Sequence, residues 1–420
     1  MLDLKLLRDN PDAIRNALKR RNTAASLDGL LQLERQRREL LTSIEQRRHQ
    51  LKQESEVFAH AKAAGKAAAP PAHLKALSNG ISEAEQQLKQ IEERVSGEMA
   101  LLPNIPHASL PTGDARLNRI ERTVGKKLSY SFTPKTHMDL GAQRGFLDLE
   151  RAAKIAGSHF PLLTGAGARL ERALINWMLD VQTKEHGYTE IAPPYLVNRA
   201  SMFSTGQLPK FEEDMYRLKD DDLFLVPTAE VPVTNLHRDE VLDEAQLPVN
   251  YTAYTACFRR EAGSYGKETR GLVRVHQFDK VELVKFVTPE TSYDELERLV
   301  GHAETILQRL GLHYRVVCLA TGDLSFAAAK CYDLEAWAPG LNQFLEVSSC
   351  SNFEEFQARR ANIRYRQTAN KKVGYVHTLN GSGVALARTL ICLLETHQQA
   401  DGRIAVPAPL RPYLDGAEVL

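Results

Sequence analysis

The chain has 420 residues, long enough for a large buried core with a smaller unit appended, so two domains are expected. Its 54 Lys and Arg nearly cancel 53 Asp and Glu; net charge therefore argues for no polyanionic partner, and any such surface must come from local clustering. Five scattered cysteines (Cys257, Cys318, Cys331, Cys350, Cys392) form no CxxC pair and no zinc spacing, which predicts a reducing cytoplasm and no zinc. Residues 1–21 alternate charged and apolar positions, unlike a signal peptide, and no run of about twenty apolar residues offers a membrane span.

In chain order, Asn10-Pro11-Asp12 reads as a helix start, with Pro11 in the first turn where no N–H is needed and Ile14 and Leu18 on the buried face. From Leu27 a heptad-like pattern begins, with Leu30, Ile44, Leu51 and Phe58 in one row and Leu27 and Leu41 in another; Glu34 and Arg37 interrupt it. After breakers from Ala63 to Pro71 a cleaner repeat follows, Leu74, Ile81, Leu88 and Val95 beside Leu77, Ala84 and Ile91. Two one-sided stripes joined by a short turn predict an antiparallel helical hairpin over about 27–100, since folding back removes from water side chains worth about 1.5–3 kcal/mol each. Leu101 to Pro106 ends the second helix, because proline lacks the donor and turns its predecessor extended. The boundary is placed there, giving domains 1–105 and 106–420.

Beyond it lie β-rich runs at Leu223–Val226, Val249–Phe258, Leu272–Phe286, Tyr314–Leu319 and Phe344–Val347, with helices at Gly167–Glu185, Thr291–Leu310 and Val384–Gln398. Strands that follow one another without helices favour a mostly antiparallel sheet in an α+β fold. There is no GxxxxGK[ST] fingerprint and no short internal repeat.

The most specific stretch is Ala256 to Val284, ACFRREAGSYGKETRGLVRVHQFDKVELV. Arg259 and Glu261, two apart on a strand, face one side, and the loop Gly263 to Gly271 lets the chain return as a second strand. Arginine offers planar bidentate donors for phosphate or carboxylate, and an ionised glutamate can only accept. An isolated Arg-x-Glu is usually a surface ion pair. This one resembles motif 2 of class II aminoacyl-tRNA synthetases, and specifically that of seryl-tRNA synthetases, over nearly its whole length. The resemblance extends to MLDLKLLRDNPDAIRNALKRR at the start, GYTEIAPPYLVNRASMFSTGQLPKF at 187–211, VPTAE at 226–230, FLEVSSCSNFEEFQARRANIRYR at 344–366 and LNGSGVALARTL at 379–390.

The resemblance implies a class II catalytic domain behind a tRNA-binding arm. It also implies a two-step reaction, ATP and L-serine giving seryl-adenylate and pyrophosphate, then transfer to tRNA(Ser) and, where it exists, tRNA(Sec). It assigns Arg259 and Arg388 as catalytic groups and Arg259, Arg260, Glu261, Val275, Phe278, Glu346, Val347, Ser348, Ser349 and Arg388 to ATP. Serine falls to Thr228, Ala229, Glu230, Arg259, Glu282, Asn380 and Ser382. Magnesium falls to Glu346 and Ser349, an oxygen pair that suits an ion sharing phosphates and water. Arg260 stands where many relatives carry serine and would face away on a regular strand. Motif 1 is matched by residues 170–193, ending at Pro193, and implies a homodimer. Motif 3 is matched by Gly381-Ser382-Gly383 leading into a helix, with Arg388 about two turns in.

For the arm, residues 31–66 carry Arg35, Arg37, Arg38, Arg47, Arg48, Lys52, Lys62 and Lys66 against five glutamates, while the returning helix leans acidic. The first helix is thus the expected RNA face, since A-form RNA is read largely by shape and phosphate. Two rivals make different predictions. An amino acid:carrier-protein ligase would lack the arm and typically recruit zinc, and an inactive RNA-binding paralogue would not need Arg259, Glu261, Glu346 and Arg388 intact.

Overall fold

The computed structural model describes residues 1–65, 71–261 and 270–420. These form two compact units, one of residues 1–19 with 23–103, the other of residues 20–22 with 104–420.

Pro11–Arg20, all but its last residue in the first unit, is helical and the Asn10 side chain caps it, accepting from the Ala13 N–H at 3.2 Å. Helix α1 (Asp28–Ala63) then packs against helix α2 (Ala72–Ala100). Leu30 and Ile44 are buried on α1 and Leu74, Ile81, Ala84 and Val95 on α2, as the heptad rows predict; Leu41, Leu51, Phe58, Leu77, Leu88 and Ile91 of those rows are half-buried, and Leu33, outside them, is buried. The two interrupting residues are not a defect. Glu34 is only 2 % exposed and takes two hydrogen bonds from Arg37, at 2.7 and 3.2 Å, while Arg37 also reaches Glu92 on α2 at 3.4 Å. A buried polar lock in an apolar seam fixes the register of the two helices. Part of the breaker-rich turn, residues 66–70, lies outside the described residues.

The second unit is built on an eight-stranded sheet. Its strands are β1 (Arg119–Val124), β2 (Thr189–Glu190), β3 (Val249–Phe258), β4 (Gln277–Val287), β5 (Tyr314–Cys318), β6 (Lys330–Ala338), β7 (Gln343–Asn352) and β8 (His377–Ala385), in the spatial order 1-5-6-7-8-4-3-2. All pairings are antiparallel except β2 with β3. Helix α3 (Ala166–Lys184) buries Leu170, Leu174, Trp177 and Met178, the stripe expected of it; α4 (Ser292–Arg309) and α5 (Leu386–Thr396) also pack against strands of the sheet.

Several expectations need correction. The return strand begins at Gln277, not Leu272, because residues 270–276 run as turns and bends, with Leu272 to Val275 along the cavity wall. Strand β3 stops at Phe258, so Arg259 and Glu261 lie beyond it, and Glu261 has a φ of 49°, left-handed for a residue with a side chain. Gly381-Ser382-Gly383 lies within β8, which runs straight into α5, and Arg388 is the third residue of α5 rather than two turns in. Gly381 serves packing, since a Cβ there would sit 2.8 Å from Cys350 Sγ and 3.2 Å from Leu299 Cγ. Most of the loop Gly263–Gly271 lies outside the described residues.

Candidate active site

A cavity of about 610 Å³ opens over the middle of the sheet. Strand β4 supplies its axis: alternation puts Phe278, Lys280 and Glu282 on one face, two residues apart. Phe278 and Lys280 line the cavity, while Glu282, wholly buried, lies just behind the wall.

At one end, donors converge on Glu282. Thr228 Oγ1 donates to its Oε2 at 3.2 Å, Asn380 Nδ2 to its Oε1 at 2.7 Å, and the Lys280 ammonium forms an ion pair with Oε2. Lys280 Nζ also donates to Thr228 Oγ1 at 2.8 Å. Glu230 begins the short helix Glu230–Thr234 and takes a 2.6 Å hydrogen bond from Gln357. Burial first, and then the charge of Glu282, push the Glu230 carboxyl up to about 7. Ser382 and Asn380 come from β8 and line the cavity; Ala229, next to Thr228 in the chain, is fully buried and does not line it.

At the other end, the Arg259 guanidinium lies 5.2 Å from the Phe278 ring centre and its Nε donates to the Pro227 carbonyl at 3.3 Å. Glu261 pairs with Arg274 at 2.6 Å, and Val275 joins the wall. Arg260 is exposed and is not among the lining residues. Four consecutive residues of β7, Glu346 to Ser349, all line the cavity, which strict alternation forbids; a break of register against β6 between Glu346 and Ser348 permits it. Arg388 is held by the Val273 carbonyl at 3.1 Å and the Glu346 carbonyl at 2.9 Å.

Side-chain oxygens that could take a cation lie beside them. Ser349 donates to Asp333, and the Asp333 carboxyl is pushed up by burial and then by the charge of Glu346. Two carboxylates and a hydroxyl, with mutual repulsion that a cation would relieve, fit magnesium's preference for hard oxygen. Among the described residues no group of three or more His, Cys, Asp or Glu side chains forms a complete protein cage. All five cysteines are buried free thiols.

Sequence reasoning missed Lys280, Arg274, Asp333 and Gln357. Lys280 was findable, because it sits two residues from both Phe278 and Glu282 on an alternating strand. Asp333 and Gln357 carry no local signal and are brought in by β6 and by the helix Phe356–Ala361.

Residues 1–106 match the Seryl-tRNA synthetase N-terminal domain, and residues 210–397 match the tRNA synthetase class II core domain (G, H, P, S and T). The serine–tRNA ligase of Syntrophobacter fumaroxidans is 53% identical over 420 residues, 100% of this chain and 99% of the relative. The chain belongs to the seryl-tRNA synthetase family. The serine–tRNA ligase of Clostridium tetani is 52% identical over the full length of both chains. Among solved structures, the seryl-tRNA synthetase from Pyrococcus horikoshii complexed with ATP is similar at a TM-score of 0.93 and 37% identity, covering 100% of this chain and 99% of that one. The cytoplasmic serine–tRNA ligase from Naegleria fowleri in complex with AMP gives 0.88 and 30%, covering 100% and 98%. This seryl-tRNA synthetase therefore has the expected helical arm and class II core, and as a serine–tRNA ligase it is an ATP-using enzyme. Among its described residues no helix is long and apolar enough to cross a membrane.

Proposed function

We propose that the cavity holds L-serine over Glu282 and Glu230 and ATP over Phe278 and the Glu346–Ser349 segment, with Arg259 between them. The convergence of Thr228, Lys280 and Asn380 on Glu282, with the aromatic face of Phe278 on the same strand and Arg259 beside that ring, carries this reading. Serine brings an ammonium, a carboxylate and a hydroxyl, so its site needs acceptors, a cation and fixed hydrogen-bonding partners together. A site so built rejects alanine by leaving polar groups unpaired.

A serine carboxylate oxygen attacks the α-phosphorus, the bond to the bridging oxygen breaks, and pyrophosphate leaves with seryl-adenylate retained. Arg259 grips the α-phosphate and the serine carboxylate, Arg388 faces the γ-phosphate, Glu261 meets the adenine amino group, and Phe278 stacks on the ring, worth about 1–3 kcal/mol. Magnesium, when bound, neutralises the triphosphate, and Glu346 and Ser349 would hold it. No side-chain nucleophile is required, because positioning and preorganised charge lower the barrier. Transfer to the 3′ end of tRNA(Ser) follows, and of tRNA(Sec) where it exists, in the cytoplasm. Charging total tRNA with serine, alanine and threonine tests the reading: serine alone should be esterified. Absence of charging removes it, and adenylate without charging points to a carrier-protein ligase.

The arm is the proposed tRNA grip. Arg37 is committed to Glu34 and Arg48 pairs with Glu85 at 2.7 Å, while Arg35, Arg38, Lys52 and Lys62 are exposed cations on the same helix. Replacing Arg35, Arg38 and Arg48 together by glutamine should raise KM for tRNA about tenfold or more and flatten its salt dependence, with serine-dependent ATP–pyrophosphate exchange unchanged. A homodimer through α3 and the segment ending at the buried Pro193 is part of the same proposal, and gel filtration at the monomer mass counts against it.

A further inference from the structure

Gln357 lies outside every residue set assigned above to substrate, and it does not line the cavity. It is 1 % exposed, on the helix Phe356–Ala361, and both ends of its amide are engaged. Nε2 donates to Glu230 Oε1 at 2.6 Å and to the Thr205 carbonyl at 3.4 Å; Oε1 accepts from Thr378 Oγ1 at 2.8 Å. Thr205 and Glu230 both line the cavity, and Thr378 does not.

The amide has only two ways round. In the observed one, its two N–H groups meet two acceptors. Turned over, its oxygen would face the Thr205 carbonyl and the Glu230 carboxyl together. A protonated Glu230 could donate to that oxygen, but the Thr205 carbonyl never can. The backbone of Thr205 thus selects the amide orientation, and that orientation favours the acceptor form of Glu230.

We propose that Gln357 is a positioning residue for serine recognition: it keeps Glu230 ionised and oriented toward bound serine. The proposal rests on the reading of Glu230 as a serine-binding carboxylate. It explains how a carboxyl 8 % exposed can still accept hydrogen bonds near neutrality. The charged groups acting on Glu230 are Glu282 and Lys280 from β4 and Arg259 beyond β3. Glu282 opposes its ionisation; Lys280, Arg259 and the Gln357 hydrogen bond favour it.

The sign of the pH effect follows. Serine binding that needs ionised Glu230 rises with pH through the carboxyl's titration, and removing the amide donor moves that rise to higher pH. Gln357→Met keeps the volume and loses the hydrogen bonds. Measured by ATP–pyrophosphate exchange, it should raise KM for serine about tenfold with KM for ATP within about twofold. The acid limb of kcat/KM for serine should move up by roughly one pH unit, so the defect shrinks as pH rises. Thr378→Val, which removes the donor that anchors the amide oxygen and does not touch the cavity, should loosen the amide's hold on Glu230 and shift the limb in the same direction by less, and it decides the matter if Gln357→Met does not fold. Equal rises in both KM values, or an acid limb that stays put in the folded variants, overturns the proposal. Glu230→Gln separates the two layers: if it leaves KM for serine unchanged, the reading of Glu230 fails rather than the role of Gln357.

Discussion

Arg259→Ala should lower serine-dependent ATP–pyrophosphate exchange by roughly 10³-fold or more while leaving the thermal unfolding midpoint nearly unchanged. The guanidinium is half-buried, tethered through Nε to the Pro227 carbonyl and laid near the Phe278 ring, so its plane is set before substrate arrives. Held this way, it can present its terminal nitrogens as a fork to the two oxygens whose charge changes in the reaction, one on serine and one on the α-phosphate. Arg259→Lys keeps the charge and loses the fork, and should still fall by about 10²-fold. Exchange retained in the alanine variant would show that the α-phosphate is bound elsewhere.

Glu282→Gln should damage both stability and serine binding, because the carboxylate is the common acceptor of Thr228, Asn380 and Lys280 in a fully buried position. A glutamine offers one oxygen and turns an NH2 group toward donors, of which, among the described residues, only Lys280 has a second acceptor, at Thr228 Oγ1. The Lys280 charge also loses its counter-ion in a site only 7 % exposed. Breaking a buried pair by removing one partner costs about 3–5 kcal/mol. Urea unfolding should show a lower midpoint, and KM for serine should rise far more than KM for ATP. A variant with normal stability and serine affinity would mean that Lys280 is satisfied without Glu282.

Much of this site was legible in the residues because class II motifs are local: Arg259, Glu261, Phe278 and Glu282 lie on one hairpin, and Glu346 to Ser349 on one strand. Heptads likewise gave away the helical hairpin, and even its flaw, Glu34 with Arg37, was visible as an interruption. Its meaning was not, since a polar residue in an apolar row becomes a lock only when its partners across the seam are known. The same limit hid Gln357 and Asp333, whose roles arise from contacts with residues far away in the chain, Glu230 and Thr205 in one case and Glu346 and Ser349 in the other. Motif 3 misled for a different reason. The helix after the glycines was legible but its start was not: β8 carries them on to Ala385, so Arg388 falls in the first turn of α5.

The spacing along β4 has a consequence for how this enzyme could be altered. Phe278 and Glu282 are four residues apart on a strand paired with β3 along that whole stretch and with β8 from Lys280 onward, so they stand about 13 Å apart on a rigid bar. Such a bar insulates one end from the other. Redesign of the amino-acid end can be attempted without retuning the adenine end, provided that strand length is untouched. A single-residue insertion between the two would be far worse than any point substitution there, since it would turn one end of the bar to the opposite face of the sheet.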